Sequence, residues 1–518
     1  MQQEISITSP GWATIGRPLY RNDDFSNLAR VGVVDVGSNS VRLVVFDGAA
    51  RSPAYFYNEK IMCALGAGLS ETGILNPKGR ERALSALRRF AALADGMGIA
   101  PLTAVATAAV RDASDGRDFC DEVERETGIK IFIVDGEEEA RLSAQGVLLG
   151  WPGSYGLVCD IGGSSMELAT IADGMVGPRV TSSLGPLKLK GIKGGRKAVK
   201  AHIRETMADL HDRIGNPLDM RLFLVGGSWR AIARIDMDRR SYPLTVLHEY
   251  RMTSRQVTRT RDYIKAVGVD ELRVRLGFSQ ERAALLNEAS LVLAELVRTL
   301  KPRDVAISSY GIREGMLYEE MPGELRKRDP LLEACRFAEA KDARFPGFGD
   351  RLFEFVRPLF KRADWQKERI IHAACLLHDV SWRAHPDYRA EVGFENVTRA
   401  NLGGLKHSER VYLGLALLHR YTNKREGTHY ERLFNLIDLH EAAEAEVLGK
   451  AMRLGAMLWL GSKAEPGKLT YRSRKKVLKL DLIAEAEPLF GEVALSRFKS
   501  LASSLGAEPA VAIAKPSP

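Results

Sequence analysis

Cysteine is scarce and scattered. The chain has five, Cys63, Cys120, Cys159, Cys335 and Cys375, an odd number with no CxxC pair. This excludes a disulfide framework and predicts reduced thiols in a cytoplasmic protein. No apolar run is long enough to span a bilayer, so no membrane partner is expected. The N-terminus lacks a basic stretch followed by an apolar one, so no secretory signal is expected either. Three common signatures are missing: GxxxxGKS/T, GxGxxG and HExxH, which excludes a P-loop, a dinucleotide fingerprint and a zinc-protease helix. The nearest approach to the last, HEAAE at His440–Glu444, ends in glutamate. Aromatic residues make up only 7% of the chain and form no stripe interleaved with basic ones, so nucleic acid is not an expected partner.

What is present is positive charge. The formal net charge is +9 and the pI about 9.2, which favours a polyanionic partner. On charge alone, nucleic acid, polyphosphate and anionic lipid all qualify. With 518 residues, 45% hydrophobic and 27% charged, the chain is of ordinary soluble composition and too long for one core.

One pattern occurs twice. VDVGSNSVRLVVF (34–46) is a β-branched run broken by Asp35, Gly37 and the small polar turn Ser38–Asn39–Ser40, then resumed. LVCDIGGSSMELATI (157–171) matches it at one fixed offset: Asp160, Gly162, Ser165 and Leu168 fall where Asp35, Gly37, Ser40 and Leu43 stand. A repeated strand, turn and strand predicts two similar half-domains facing a cleft with a phosphate site between them. In the second copy Ser165 and Glu167 are two residues apart in a strand and share a face.

Other segments add to this. GAGLSETGILNP (66–77) is a glycine-rich loop before a helix over 78–95. Leu102–Ala106 reads as a strand whose exit turn ends at Arg111. DGEEEARL opens a helix at 135, where acidic residues suit the positive end of the macrodipole. Of its three glutamates, Glu139 sits beside the apolar face. The run Ser182–Lys200 carries Lys188, Lys190, Lys193, Arg196, Lys197 and Lys200, either a solvated loop or a polyanion track. Gly226–Gly227–Ser228 lies between a strand and a helix, a common anion site. Composition changes near 321–330. Beyond it the pattern is helical, with helices expected over 331–340, 349–360, 366–378, 408–420, 431–439, 442–460 and 488–502. A short strand segment at 468–482 is rich in arginine and lysine. The expected organisation is a flexible tail (1–27), two half-domains (28–150 and 151–321), a helical domain (330–504) and a second tail (505–518).

Taken in order, VDVGSNSVRLVV, GLSETGIL, DGEEEARL, CDIGGSSMEL, VGGS and GIREGMLYE resemble the exopolyphosphatase/guanosine pentaphosphate phosphohydrolase (Ppx/GppA) family over roughly 31–319. The resemblance implies an α/β fold of the acetate and sugar kinase/Hsp70/actin superfamily: two actin-like, ribonuclease H-like half-domains. It further implies a cytoplasmic homodimer and a Mg²⁺ cofactor. Asp35 with Gly37, Ser38, Asn39 and Ser40 then matches the first phosphate motif. Arg111 matches an arginine beneath the phosphates, and Glu139 the general base. Asp160, Gly162, Gly163, Ser165 and Glu167 match the second phosphate and metal motif, and Gly226–Ser228 a further phosphate turn. Asp160, Glu167 and Asp35 are the implied metal ligands. Ser164 stands where the family usually has a third glycine. The implied activity is hydrolysis of terminal phosphoanhydride bonds of inorganic polyphosphate, or alternatively of guanosine pentaphosphate. A kinase of the same superfamily and a non-catalytic phosphate-ligand sensor are rivals. His378–Asp379 resembles the central pair of an HD phosphohydrolase domain. No histidine precedes it in 349–360 and no aspartate follows in 455–461. His372, His385, His407 and His419 do not complete a ligand set, so a degenerate HD-like domain is expected.

Overall fold

A computed structural model describes residues 19–21, 23–24, 26–99, 102–215, 220–424, 427–459 and 465–514. The chain divides into two compact units, Met1–Arg328 and Asp329–Pro518.

The first unit holds two sheets built on one plan. In the first, β1 (Asn27–Val36), β2 (Ser40–Ala49) and β3 (Ser52–Met62) form an antiparallel meander, and β4 (Thr103–Ala106) and β5 (Ile131–Ile133) add in parallel on the far side of β1. In the second, β6 (Gly156–Ile161), β7 (Met166–Ala172) and β8 (Met175–Ser182) form the meander. There β9 (Arg221–Val225), β10 (Arg251–Met252) and β11 (Asp304–Ile307) complete the order β10-β11-β9-β6-β7-β8. Strands β4 and β9 read as near-continuous apolar runs because both their faces are covered.

The repeat seen in the sequence is therefore a repeat of topology. It extends to the turns: Gly37 N–H donates to Ser40 O, and Gly162 N–H to Ser165 O, each at 3.0 Å. Three cores hold the unit together. Val34, Leu43, Leu87 and Phe90 lie in one, on the outer side of the first sheet. Leu222, Trp229, Leu293 and Leu296 lie in another, on the outer side of the second. The third fills the space between the sheets, from Val33 and Phe46 through Leu142 and Met316 to Phe223.

Two helices run through that middle core, Gly136–Gly150 and Ile312–Glu319. They touch backbone to backbone. A Cβ on Gly315 would lie 1.8 Å from Leu142 O, and one on Gly146 would lie 2.2 Å from Gly311 O. Only glycine permits this approach, and it fixes the helix that carries Glu139 against the one that carries Arg313. Asp135 caps the first helix, its Oδ1 accepting from Glu138 N–H at 2.7 Å.

The second unit is mostly helical: Pro330–Asp342, Phe348–Val356, Trp365–Leu377, Arg389–Arg399, His407–His419, Leu439–Trp459 and Glu492–Ser504. Asp329 and Asp364 cap the first and third of these. Several expected helices moved. The helix predicted over 431–439 is a short 3-10 turn, Glu431–Leu436, and the long helix starts afresh at Leu439. Pro488 falls in another 3-10 segment, so the last helix begins later than expected, at Glu492. The basic segment 468–482 is a hairpin of β12 (Gly467–Arg472) and β13 (Val477–Leu482).

Both expected tails need correction. Glu508–Ile513 is strand β14, added in parallel to β13; a lone short strand has no local partner signal to reveal it. At the other end Leu19 is buried and Tyr20 bridges to Leu28, so ordered chain begins before β1. Residues 1–18 of the expected tail lie outside the described residues.

Candidate active site

The topological repeat brings its two polar turns face to face. A cavity of about 390 Å³ opens between the sheets, lined by Asp35, Gly37–Ser40, Glu139, Asp160, Gly162, Gly163, Ser165 and Gly226–Ser228. Ser164, standing where a third glycine was expected, links the turns: its hydroxyl donates to Ser38 Oγ at 3.4 Å. Gly226 has φ +115°, and a Cβ there would lie 2.6 Å from Ile161 O. It frees the N-terminus of the helix Gly227–Arg239 to face the cavity.

From Asp35 and Asp160, which line the cavity, one row of paired residues crosses each sheet. In the second sheet Asp160 pairs with Glu167, which pairs with Thr181. In the first, Asp35 pairs with Arg42, which pairs with Lys60. Asp35 and Asp160 are alike, whereas the equivalent positions Arg42 and Glu167 carry opposite charge. The row in the second sheet carries two carboxylates, and that in the first carries one carboxylate and two cations.

The carboxylates crowd one another. Glu139 is buried, and its Oε2 makes no hydrogen bond; the nearest cation is Arg111 Nη1 at 3.6 Å. Burial, then the charges of Glu167 and Asp160, push its pKa well above the ordinary value. Glu167 is pushed up to about 8, first by burial and then by Asp160. It accepts from Thr181 Oγ1 at 3.3 Å, and its Oε2 is buried without a hydrogen-bond partner. Asp160 is raised mainly by burial and restrained by a hydrogen bond from Ser143 Oγ. Asp35 is raised by burial and held down by Arg313 and Arg42.

The basic wall shows the mirror image. Arg42, Lys60, Arg230, Arg234, Arg282 and Arg313 line the same cavity. Burial and mutual repulsion lower Arg42 to about 10 and Lys60 to about 8. Arg313 is held the other way, raised by Glu314 and Asp35 against its burial. Its Nε and Nη1 are buried with no hydrogen-bond partner. Glu314 is itself fixed, accepting from Tyr55 Oη at 2.8 Å and Gly311 N–H at 2.7 Å. Unsatisfied buried guanidinium donors beside a cavity suit an anionic ligand with several oxygens.

Arg111 lies behind the cavity rather than along it, donating Nη1–H to Val134 O at 2.9 Å beside Glu139. The six basic residues of 188–200 do not line the cavity either. Lys188 pairs with Asp112 at 3.3 Å, and Lys190, Lys193, Arg196, Lys197 and Lys200 are exposed. Their run does begin at the site, because Leu187 N–H donates to Gly163 O at 2.8 Å.

Sequence reasoning missed the basic wall. Arg42 was within reach, since a hairpin turning at 37–40 must pair 35 with 42. Arg230 and Arg313 lie in motifs already noted for their glycines. Arg234 follows Arg230 by one helical turn, whereas Lys60 and Arg282 had no signal, because each enters the cavity from a separate element.

In the second unit His378 and Asp379 are buried and engaged. His378 Nδ1 lies 2.8 Å from Cys375 O, and burial lowers the ring to about 4. Asp379 takes a two-pronged contact from Arg344, at 2.9 and 2.6 Å. Among the described residues, no three of His, Cys, Asp and Glu are grouped to hold a metal.

Paired meander sheets around a polar cleft define an actin-like ATPase-type fold, with a predominantly helical second unit. The model of the Ppx/GppA phosphatase family matches residues 44–324, more than half of the chain, and that of the exopolyphosphatase C-terminal domain matches 360–511. The chain belongs to the Ppx/GppA phosphatase family. It is 29% identical over 313 residues to Exopolyphosphatase 1 of Mycobacterium bovis, covering 57% of this chain and 89% of that one. It is 27% identical over 468 residues to Retrograde regulation protein 2 of Saccharomyces cerevisiae, covering 80% and 77%. Among solved structures, the Aquifex aeolicus family member aligns with TM-score 0.50 at 23% identity, over 56% of this chain and 97% of that one. An exopolyphosphatase from Cytophaga hutchinsonii gives the same TM-score, identity and coverage. No helix among the described residues is long and apolar enough to cross a membrane.

Proposed function

We propose that this protein is an exopolyphosphatase that removes terminal phosphate from inorganic polyphosphate by hydrolysis. The observation that carries this reading is Glu139: a buried carboxylate whose Oε2 has no hydrogen bond, lining a cavity that six cationic side chains also line. Glu139 takes the proton of the attacking water. The backbone N–H groups of Ser38–Ser40, Gly163–Ser165 and Gly226–Ser228 orient the terminal phosphoryl oxygens. Arg42, Lys60, Arg230 and Arg313 neutralise the phosphates behind them. Catalysis on this account is positioning and electrostatics.

The crowded carboxylates fit a divalent cation, because Glu139 and Glu167 each leave a buried oxygen without a hydrogen bond. Among the described residues no three such side chains are grouped to hold a metal, so the proposed ion, Mg²⁺, would keep water or phosphate oxygens among its ligands. Asp160, Glu167 and Asp35 would hold it, and it would supply charge neutralisation at the transferring phosphoryl group.

One relative, from yeast, is named for regulation and not for an activity, which makes direct measurement necessary. The test is phosphate release with Mg²⁺ from long-chain polyphosphate and guanosine pentaphosphate, side by side. Faster release from polyphosphate supports this reading. Faster release from the nucleotide makes the protein a guanosine pentaphosphate phosphohydrolase. Phosphate transferred from ATP to an added acceptor makes it a kinase, and no turnover with tight binding makes it a sensor.

A further inference from the structure

The second unit carries a basic surface that the proposed reaction does not use. The hairpin Gly467–Leu482 has six basic residues, Lys468, Arg472, Arg474, Lys475, Lys476 and Lys479, and one acid, Asp481. Strand alternation explains the segregation. Leu469, Leu478, Leu480 and Leu482 are buried on one face, while Lys468, Arg472, Lys479 and Asp481 stand on the other. The tip, Arg474–Lys476, is fully exposed. Among the described residues only Lys479 of the six has an ion-pair partner, Asp481 at 2.5 Å.

Beside this hairpin is a cavity of about 510 Å³. Its apolar part comes from Pro358, Leu359, Phe360 and Tyr471, and Lys361 and Arg362 stand at its rim. Its volume lies within the range that encloses a small organic group, ~300–1,000 Å³. The acids at the cavity are Asp364 and Glu444. Glu444 is neutralised by Lys367 at 3.0 Å, and Asp364 caps a helix. Lys361 and Arg362 are exposed and make no ion pair among the described residues. Next to Asp364 stands Trp365, 66% exposed, and next to His440 of the cavity lining stands Leu439, 84% exposed. Trp365 follows Lys361 and Arg362 within four residues, and an exposed indole with nearby cations in the chain suits a partner that is both anionic and aromatic.

We propose that this surface binds single-stranded nucleic acid, with phosphates along the hairpin tip, Lys361 and Arg362, and with bases on Trp365 and in the adjoining cavity. Charge alone would suit a bare polyphosphate equally well. The apolar cavity and the exposed indole favour a polymer that carries bases, because base–aromatic stacking needs a π-face. The sequence hid this surface because Lys361–Trp365 and Tyr471–Lys476 are remote in the chain and meet only in the fold.

The test uses the full-length protein with fluorescently labelled oligouridylate and oligodeoxythymidylate, read by anisotropy across a salt series. Binding is expected, with log affinity falling on log salt by ~0.7 per phosphate contact. Trp365→Ala is expected to weaken binding on the order of tenfold, and Trp365→Phe to restore most of it. Arg474→Gln with Lys475→Gln is expected to lower the salt slope. All three variants are expected to leave phosphate release from short polyphosphate unchanged, which separates this surface from the catalytic cleft. Absence of oligonucleotide binding overturns the proposal. So does binding indifferent to Trp365→Ala, or equal displacement by polyphosphate in wild type and Trp365→Ala, which marks a bare phosphate-polymer site.

Discussion

Replacing Glu167 by glutamine isolates the electrostatic tension in the cleft. Glu167 is 1% exposed, and its pKa is pushed up to about 8 from 4.5. The folded state therefore holds its proton more tightly than the unfolded chain does. The sign follows from linkage: stability is full below 4.5, declines as pH rises to about 8, and is level above that. At ~1.4 kcal/mol per unit the full shift sets a ceiling of ~5 kcal/mol. Relaxation and water penetration around a buried charge reduce the expected effect to ~2 kcal/mol. Glu167→Gln removes that decline, so the variant is expected to match wild type at pH 4 and exceed it at pH 8 to 9. Because the chain has two compact units, one global midpoint is a poor readout. Hydrogen exchange of peptides spanning β6 and β7, in EDTA, reports the local opening energy. Added Mg²⁺ is expected to shrink the difference by stabilising wild type more than the variant. A difference that does not change with pH refutes the idea that burial and Asp160 raise this carboxyl.

Other outcomes follow from the same geometry. Glu139→Gln is expected to lower kcat by ~10²–10⁴ while substrate still binds, read by single-turnover phosphate release. In wild type the acidic limb of kcat/KM is expected well above pH 4.5, rising as Glu139 loses its proton; a limb near 4.5 contradicts its raised pKa. Gly315→Ala places a methyl 1.8 Å from Leu142 O, so it is expected to cost ~2 kcal/mol or more and to lower activity by moving Glu139, checked by melting and kinetics together. Changing Lys193, Lys197 and Lys200 to glutamine is expected to weaken long polyphosphate more than short, and most at low salt; equal losses argue against a polyanion track.

The repeat was legible because it is local. Asp35 and Asp160 sit in strand–turn–strand units of a dozen residues each, and glycine and serine punctuate both. Glu139 was legible from a capped, acidic helix start. The C-terminal strand β14 was not, since Glu508–Ile513 becomes a strand only through its pairing with β13. The His378–Asp379 pair could be spotted in sequence, but its engagement with Cys375 O and Arg344 could not.

The amino-acid sequence by itself determined the twofold plan, the two polar turns and the acidic residues around them, because each depends on residues close together in the chain. Only the tertiary structure decided which charges oppose one another. The offset that equates Asp35 with Asp160 also equates Arg42 with Glu167, and folding pairs Arg42 with Asp35 in one sheet and Glu167 with Asp160 in the other. Burial then gives each its chemistry, raising Glu167 to about 8 and lowering Lys60 to about 8. Pairing across a sheet and desolvation are long-range properties, and no local stretch of sequence contains them.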